Sequence, residues 1–249
     1  MLLMPWRLEI VPDEEALGKA AARIIAEQVQ AQPDSVLALP TGMTPLRVYR
    51  ELATMDRRGE LDLRRVRFFH LDEFYPMAME SPASFQAFLW REFLSQVSID
   101  RANVHFLNGL AEDPAAECRR YEEQIAAVGG LDLVVLGIGV NGHIAFNEPG
   151  SPFDSRTRLV TLCPESRAAS AYLFSSAEEV PRQGLTMGIG TIMEGHRIVL
   201  IAVGERKARA VGESLGDSLT PSLPASFLRQ HPDLTVILDQ EAASLLKKV

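Results

Sequence analysis

Apolar positions along the chain follow two periods in alternation. Over residues 13–31 they fall three and four apart, at Leu17, Ala20, Ala21, Ile24, Ile25 and Val29, which predicts a helix with one face in a core. Residues 35–39 (SVLAL) form a short continuous apolar run stopped by Pro40, which predicts a buried strand. The helical period returns at 45–57, a strand is expected at 66–71 (VRFFHL), and 84–97 puts Phe85, Phe88, Leu89 and Phe93 on one helical face. A helix at 115–128 precedes the apolar strand 131–137 (LDLVVLG). Strands at 197–203 and 234–238, with a helix at 205–215 between them and a terminal helix after them, complete the order. Strands that are apolar throughout and separated by helices imply parallel βαβ units with helices on both faces of one sheet. No internal repeat, low-complexity tract or Pro/Gly/Ser-rich linker divides the chain, so one domain over residues 1–249 is expected.

Composition narrows the partners. The 249 residues are 47% hydrophobic and 23% charged, ordinary values for a globular protein. The net charge of −8 argues against nucleic acid or an anionic membrane as the main partner. It leaves room for a phosphorylated small molecule, since a cluster of amides and one Lys can outweigh the global field. Cys118 and Cys163 stand far apart and in no metal-ligand spacing, as suits a reducing compartment. The opening MLLMPWRLEI lacks the plan of a secretory signal, and no apolar run reaches the roughly 20 residues that span a bilayer. A cytoplasmic protein with no membrane partner is expected.

In an open parallel sheet, ligands bind beyond the carboxyl ends of the strands, so the loops that follow strands carry the candidate chemistry. The first is Leu39-Pro40-Thr41-Gly42-Met43-Thr44-Pro45. Pro45 suits the first helical position, Thr44 the N-cap, and Gly42 a positive φ, so several N–H groups could converge on an anion. An ordinary βα turn would look the same. The second holds Asp72 and Glu73 at the end of an apolar strand. A carboxylate there can be a general base if burial raises its pKa; helix capping or a surface ion pair is the alternative.

The third loop is 137–150, GIGVNGHIAFNEPG. Glycines 137, 139 and 142 spell GxGxxG, but Pro149-Gly150 interrupts the long helix that a dinucleotide fingerprint should open. A glycine-rich loop presenting Asn141, His143 and Glu148 suits acid–base work, with a carboxylate setting the imidazole tautomer. No HExxH spacing and no second nearby His point to a metal.

On LPTGMTP at 39–45, LDEF at 71–74, NGHIAFNEPG at 141–150 and LTMGIGTIM at 185–193, the sequence resembles the glucosamine-6-phosphate deaminase (isomerase) family over nearly its whole length. The resemblance implies an open, mostly parallel Rossmann-like three-layer α/β/α sheet, and an enzyme that isomerises and deaminates glucosamine 6-phosphate to fructose 6-phosphate and ammonia without metal or cofactor. It implies that His143, held by Asn141 and Glu148, assists ring opening, and that Asp72 moves a proton from C2 to C1. It implies phosphate binding by Thr41, Gly42, Met43, Thr44 and Lys207, the last within Gly204-Glu205-Arg206-Lys207 after another strand.

Three positions depart from the family pattern. Position 141 is Asn where some members carry Asp; Tyr172 stands where a phosphate-binding Arg is expected, leaving its hydroxyl to donate one hydrogen bond to the phosphate, with Arg167 nearby; and Val160 replaces a Lys of an effector site that Ser151 and Arg158 still match. The stretch 224–228 (PASFL) is also similar to galactosamine-6-phosphate isomerases of the same family. A 6-phosphogluconolactonase and a sugar-phosphate sensor domain complete the alternatives; the sensor would need a basic DNA-binding module, and the chain is acidic. A monomer and a homo-oligomer are both compatible with the sequence.

Overall fold

The computed structural model describes residues 6–216 and 218–246. Ten strands and seven α-helices are described: β1 Arg7–Val11, α1 Glu14–Ala31, β2 Val36–Leu39, α2 Leu46–Arg57, β3 Arg67–His70, β4 Asp72–Tyr75, α3 Phe85–Glu92, β5 Val104–His105, α4 Pro114–Ala127, β6 Leu133–Gly137, β7 Arg158–Thr161, α5 Pro164–Ser170, β8 Gln183–Thr186, α6 Ile189–Met193, β9 Arg197–Ala202, α7 Glu205–Ser214 and β10 Leu234–Asp239. Seven strands form one parallel sheet in the order β1-β10-β9-β6-β2-β3-β5. The expected three-layer α/β/α arrangement is therefore present. Strand residues alternate between two cores. Leu37, Leu39, Leu133 and Val135 pack with Leu17 and Ile25 of α1, Val48 and Leu52 of α2 and Phe88 of α3. Val36, Ala38, Val134 and Leu136 pack with Tyr121 and Ile125 of α4, Ile192 of α6 and Val211 of α7. This period-2 partition is why the strands read as apolar throughout.

Local signals fix the helices. Asp13 caps α1, its Oδ1 accepting from Ala16 N at 2.8 Å, a contact worth about 1 kcal/mol. Each fully buried Leu or Ile on its inner face adds about 1.5–3 kcal/mol. Ser84 caps α3 in the same way, accepting from Ala87 N at 2.9 Å. No described helix is long and apolar enough to cross a membrane.

The structure corrects several expectations. A second, antiparallel sheet, β4-β8-β7, was not anticipated, and Asp72 and Glu73 lie in its strand β4, directly after β3. Its strands are four residues long and half-buried in part, too short for a clear alternation. The helix expected over 84–97 stops at Glu92, because Phe93 leaves helical geometry at φ −142° and a 3₁₀ turn, Leu94–Gln96, follows. Pro45, not Thr44, occupies the N-cap of α2, and no side chain caps it. Residues 240–245 form turns rather than a terminal helix, and the last three positions lie outside the described residues.

Candidate functional site

The order of strands places the candidate loops side by side. From β2 the chain moves outward to β3 and β5, then returns to β6 on the other side of β2 and continues to β9 and β10. The reversal between β2 and β6 is the switch point where an open sheet gapes at its carboxyl edge. Consecutive strand ends there deliver the 203–207 loop (β9), the 138–150 loop (β6), the 40–45 loop (β2) and Asp72 (after β3). With about 4.8 Å between strands, the 40–45 and 203–207 loops flank a gap of about 10 Å.

In the first loop Gly42 has φ +94°, a backbone that L side chains rarely adopt. The Tyr49 hydroxyl, from the first turn of α2, donates to the Pro40 carbonyl and pins the start of the loop. Among the described residues no acceptor is found for the N–H groups of Gly42, Met43 and Thr44, which precede the N-terminus of α2. Across the gap, Gly204 N–H donates to both Asp239 oxygens at 3.1 and 3.0 Å, fixing the turn into α7. Lys207 stands in the first turn of α7, half-buried, and burial followed by the Arg206 charge lowers its pKa.

The two adjacent carboxylates of β4 divide their tasks by geometry. Glu73 is buried and accepts three backbone N–H groups, from Phe74 at 2.9 Å and from Phe85 and Gln86 at 3.0 Å, so it ties β4 to the start of α3. Burial pushes its carboxyl up to about 7 against the pull of those donors. Asp72 is 7% exposed, and no donor among the described residues bonds its carboxylate. Burial first, and the Glu73 charge second, raise its pKa well above the ordinary carboxylate range.

The end of β8 joins Asp72 to the glycine-rich loop. Thr186 pairs with Asp72 across the sheet, and its hydroxyl accepts from Phe146 N at 3.1 Å. Met187 N–H donates to the Leu71 carbonyl at 2.7 Å, and Asn147 Nδ2 donates to the Met187 carbonyl at 2.8 Å. The LTMGIGTIM stretch thus contributes positioning rather than reacting groups.

Within that loop three side chains form a relay. Asn141 Nδ2 donates to Glu148 Oε2 at 3.2 Å, and Asn141 Oδ1 lies 2.7 Å from His143 Nδ1. Glu148 Oε2 is 3.6 Å from the same nitrogen, and Glu148 Oε1 accepts from Cys163 N–H at 3.0 Å. An ionised Glu148 holds the Asn141 amide with its NH₂ outward to the carboxylate and its oxygen toward the imidazole. At 2.7 Å that oxygen requires a proton on Nδ1, which leaves Nε2 unprotonated and able to accept one. Burial lowers the His143 pKa most, Glu148 raises it and Lys207 lowers it, so Lys207 lies within electrostatic reach of the ring. The ring rests on Gly139, where a Cβ would meet its atoms at 2.2 to 2.5 Å.

Tyr172 and Arg167 both lie between β7 and β8. Tyr172 lies in the 3₁₀ turn Ala171–Leu173, 56% exposed, with Arg91 and Glu92 as its charged neighbours. Arg167 braces its own segment, donating to the Val180 carbonyl at 2.9 and 3.1 Å and to the Ala177 carbonyl at 3.3 Å. Arg158 donates to Ser151 Oγ at 2.9 Å and to Asn147 Oδ1 at 2.8 Å, so the two remnants of the effector site bond to each other. Sequence reasoning missed Cys163, Ser166 and Thr186, because each acts through a long-range contact that no local spacing encodes.

Known proteins share this fold and much of this sequence. Residues 12–237 match the family model described as glucosamine-6-phosphate isomerases/6-phosphogluconolactonase. A glucosamine-6-phosphate deaminase of Thermoanaerobacter pseudethanolicus is 46% identical over 95% of this chain and 94% of its own, and one of Rhodopirellula baltica is 46% identical over 97% and 96%. A solved structure described as a monomeric glucosamine-6-phosphate deaminase superposes with a TM-score of 0.94 at 40% identity, covering 96% of this chain and 99% of its own. A 6-phosphogluconolactonase of Trypanosoma brucei is further away, with a TM-score of 0.75 at 25% identity over 97% and 98%. A parallel sheet open at its switch point, a histidine relay on a glycine-rich loop and matches over almost the full length lead to one conclusion: the chain belongs to the glucosamine-6-phosphate isomerase/6-phosphogluconolactonase family.

Proposed function

We propose that this protein is a glucosamine-6-phosphate deaminase, converting glucosamine 6-phosphate and water to fructose 6-phosphate and ammonia as one cytoplasmic domain over residues 1–249. The observation that carries the reading is the Glu148–Asn141–His143 relay joined through Thr186 and Phe146 to an unbonded, buried Asp72 carboxylate. The names of the relatives at 40–46% identity support it, and the lactonase relative lies further off in both identity and backbone.

His143 Nε2 takes the proton of the C1 hydroxyl and returns it to the ring oxygen, so the pyranose opens to an aldehyde. Asn141 and Glu148 stabilise the imidazolium between the two transfers. Asp72 removes the C2 proton, and that bonding pair becomes the C1–C2 double bond of an enolamine as the C1=O π pair moves to O1, which takes a proton from solvent that the later hydration of the iminium gives back. Asp72 then delivers the proton to C1 while the nitrogen lone pair forms a C2 iminium. Water adds to C2 and the C–N bond breaks, leaving the 2-ketose phosphate and ammonia. A carboxylate whose burial raises its basicity is matched to a weakly acidic C–H. The phosphate takes the amides of Thr41 to Thr44 and the Lys207 ammonium. Two free cysteines fit a reducing compartment.

The test is a substrate panel for the purified protein. Glucosamine 6-phosphate should yield ammonia and fructose 6-phosphate, whereas galactosamine 6-phosphate and 6-phosphogluconolactone should react at least about tenfold more slowly in kcat/KM, roughly 1.4 kcal/mol of transition-state discrimination. Preference for either of the latter would replace the reading with the corresponding member of the family.

A further inference from the structure

We propose that Ser166 is a positioning residue for His143, its hydroxyl oxygen serving as a second acceptor for the Nδ1–H. This rests on the acid–base role given to His143 above. Ser166 Oγ lies 3.1 Å from His143 Nδ1, and Ser166 is only 3% exposed. No other partner for that hydroxyl is found among the described residues. The direction of the bond follows from the neighbouring contact. If Ser166 donated to a bare Nδ1, the lone pair of that nitrogen would face Asn141 Oδ1 at 2.7 Å, two acceptors in contact. The Asn141 amide cannot turn to relieve this while Glu148 is ionised and takes its NH₂. Ser166 therefore shares the proton that Nδ1 gives to Asn141.

The placement matters because one short helix grips both ends of the relay. At the start of α5 the Cys163 N–H holds Glu148 Oε1, and one turn later Ser166 holds His143. Ser170 Oγ bonds the Ser166 carbonyl at 3.0 Å, and Arg167 fastens the same helix to the carbonyls of Ala177 and Val180. A displacement of this segment would reach the imidazole through Ser166. The charged and titratable groups that bear on the ring are Glu148 from its own loop and Lys207 from α7. The Cys163 thiol beside Glu148 is neutral, its pKa pushed up to about 11 by burial and that carboxylate.

The decisive experiment is ¹⁵N NMR of ring-labelled histidine in the substrate-free protein, titrated with pH, with the His143 signals assigned by their loss in His143→Gln. The parent should show a protonated Nδ1 and a bare Nε2. In Ser166→Ala the imidazolium loses an acceptor, so its midpoint should move to lower pH, while Ser166→Thr should keep the parent value. In turnover, Ser166→Ala should lower kcat three- to tenfold with KM within about twofold, and the acid limb of kcat/KM should move down with the NMR midpoint. A parent tautomer protonated on Nε2, or a midpoint that rises or stays in Ser166→Ala, overturns the inference. A midpoint that falls as expected with kcat unchanged upholds the contact and instead removes His143 from the reaction.

Discussion

Replacing Glu148 by Gln removes a charge and keeps a shape, which makes it a sharp probe of the relay. The carboxylate stands 3.6 Å from His143 Nδ1 and holds Asn141 Nδ2 and Cys163 N–H. Two effects follow in the variant. The imidazolium formed during ring opening loses its counter-charge; opposite unit charges about 4 Å apart attract by about 4 kcal/mol at an effective dielectric of 20. Allowing for solvent at a ring that is 20% exposed, about 2–4 kcal/mol of stabilisation is at stake. In addition, a carboxamide can point its own NH₂ at Asn141, freeing that amide to flip and move the His143 proton to Nε2, the nitrogen that must receive one. A barrier raised by about 2–4 kcal/mol lowers kcat roughly 30- to 1,000-fold. KM should stay within about threefold, because Glu148 is placed behind the imidazole rather than on the sugar. The assay is steady-state release of ammonia and fructose 6-phosphate from glucosamine 6-phosphate. A variant with kcat within threefold of the parent, or with its whole defect in KM, would refute the relay.

Three further outcomes follow from other parts of the molecule. Gly139→Ala puts a Cβ within 2.5 Å of the His143 ring, so kcat should fall more than about 100-fold, a barrier rise of roughly 2.7 kcal/mol, while the thermal midpoint changes by only a few degrees; intact turnover would show that the ring need not rest there. Lys207→Ala should raise KM for the phosphorylated sugar about tenfold or more, since the site keeps only backbone amides; an unchanged KM places the phosphate elsewhere. His70 is buried, its Nε2 has no partner among the described residues, and burial lowers its pKa to about 3 from 6.5. The folded chain refuses a proton that the unfolded chain accepts, so this contribution is complete above pH 6.5 and is lost as pH falls toward 3. His70→Asn should therefore show a smaller drop in urea midpoint between about pH 7 and pH 5 than the parent; equal drops would contradict this origin of the acid sensitivity.

How far the sequence could be read depends on the range of the interaction involved. The parallel sheet was legible because its strands are buried on both faces, and the βα alternation is written in periods of 2 and 3.6 that need no tertiary knowledge. The antiparallel sheet was not, since β4, β7 and β8 are short and the pairing of β4 with β8 joins residues far apart in the chain, such as Asp72 with Thr186. The cluster of Asn141, His143 and Glu148 was visible as a local motif, and the structure joins these residues by hydrogen bonds. The different tasks of Asp72 and Glu73 were not separable by type, because only the fold reveals that Glu73 spends its oxygens on α3.

The central claim is that a buried, unbonded Asp72 carboxylate shuttles the proton whose movement releases ammonia. Its most direct test compares the parent with Asp72→Asn, using glucosamine 6-phosphate at saturation and measuring ammonia and fructose 6-phosphate together, with substrate binding followed separately by calorimetry. The account predicts one ammonia per fructose 6-phosphate from the parent, and from the variant a kcat at least about 1,000-fold lower, roughly 4 kcal/mol, with affinity within about tenfold. An Asp72→Asn variant that still turns over within tenfold of the parent would contradict it.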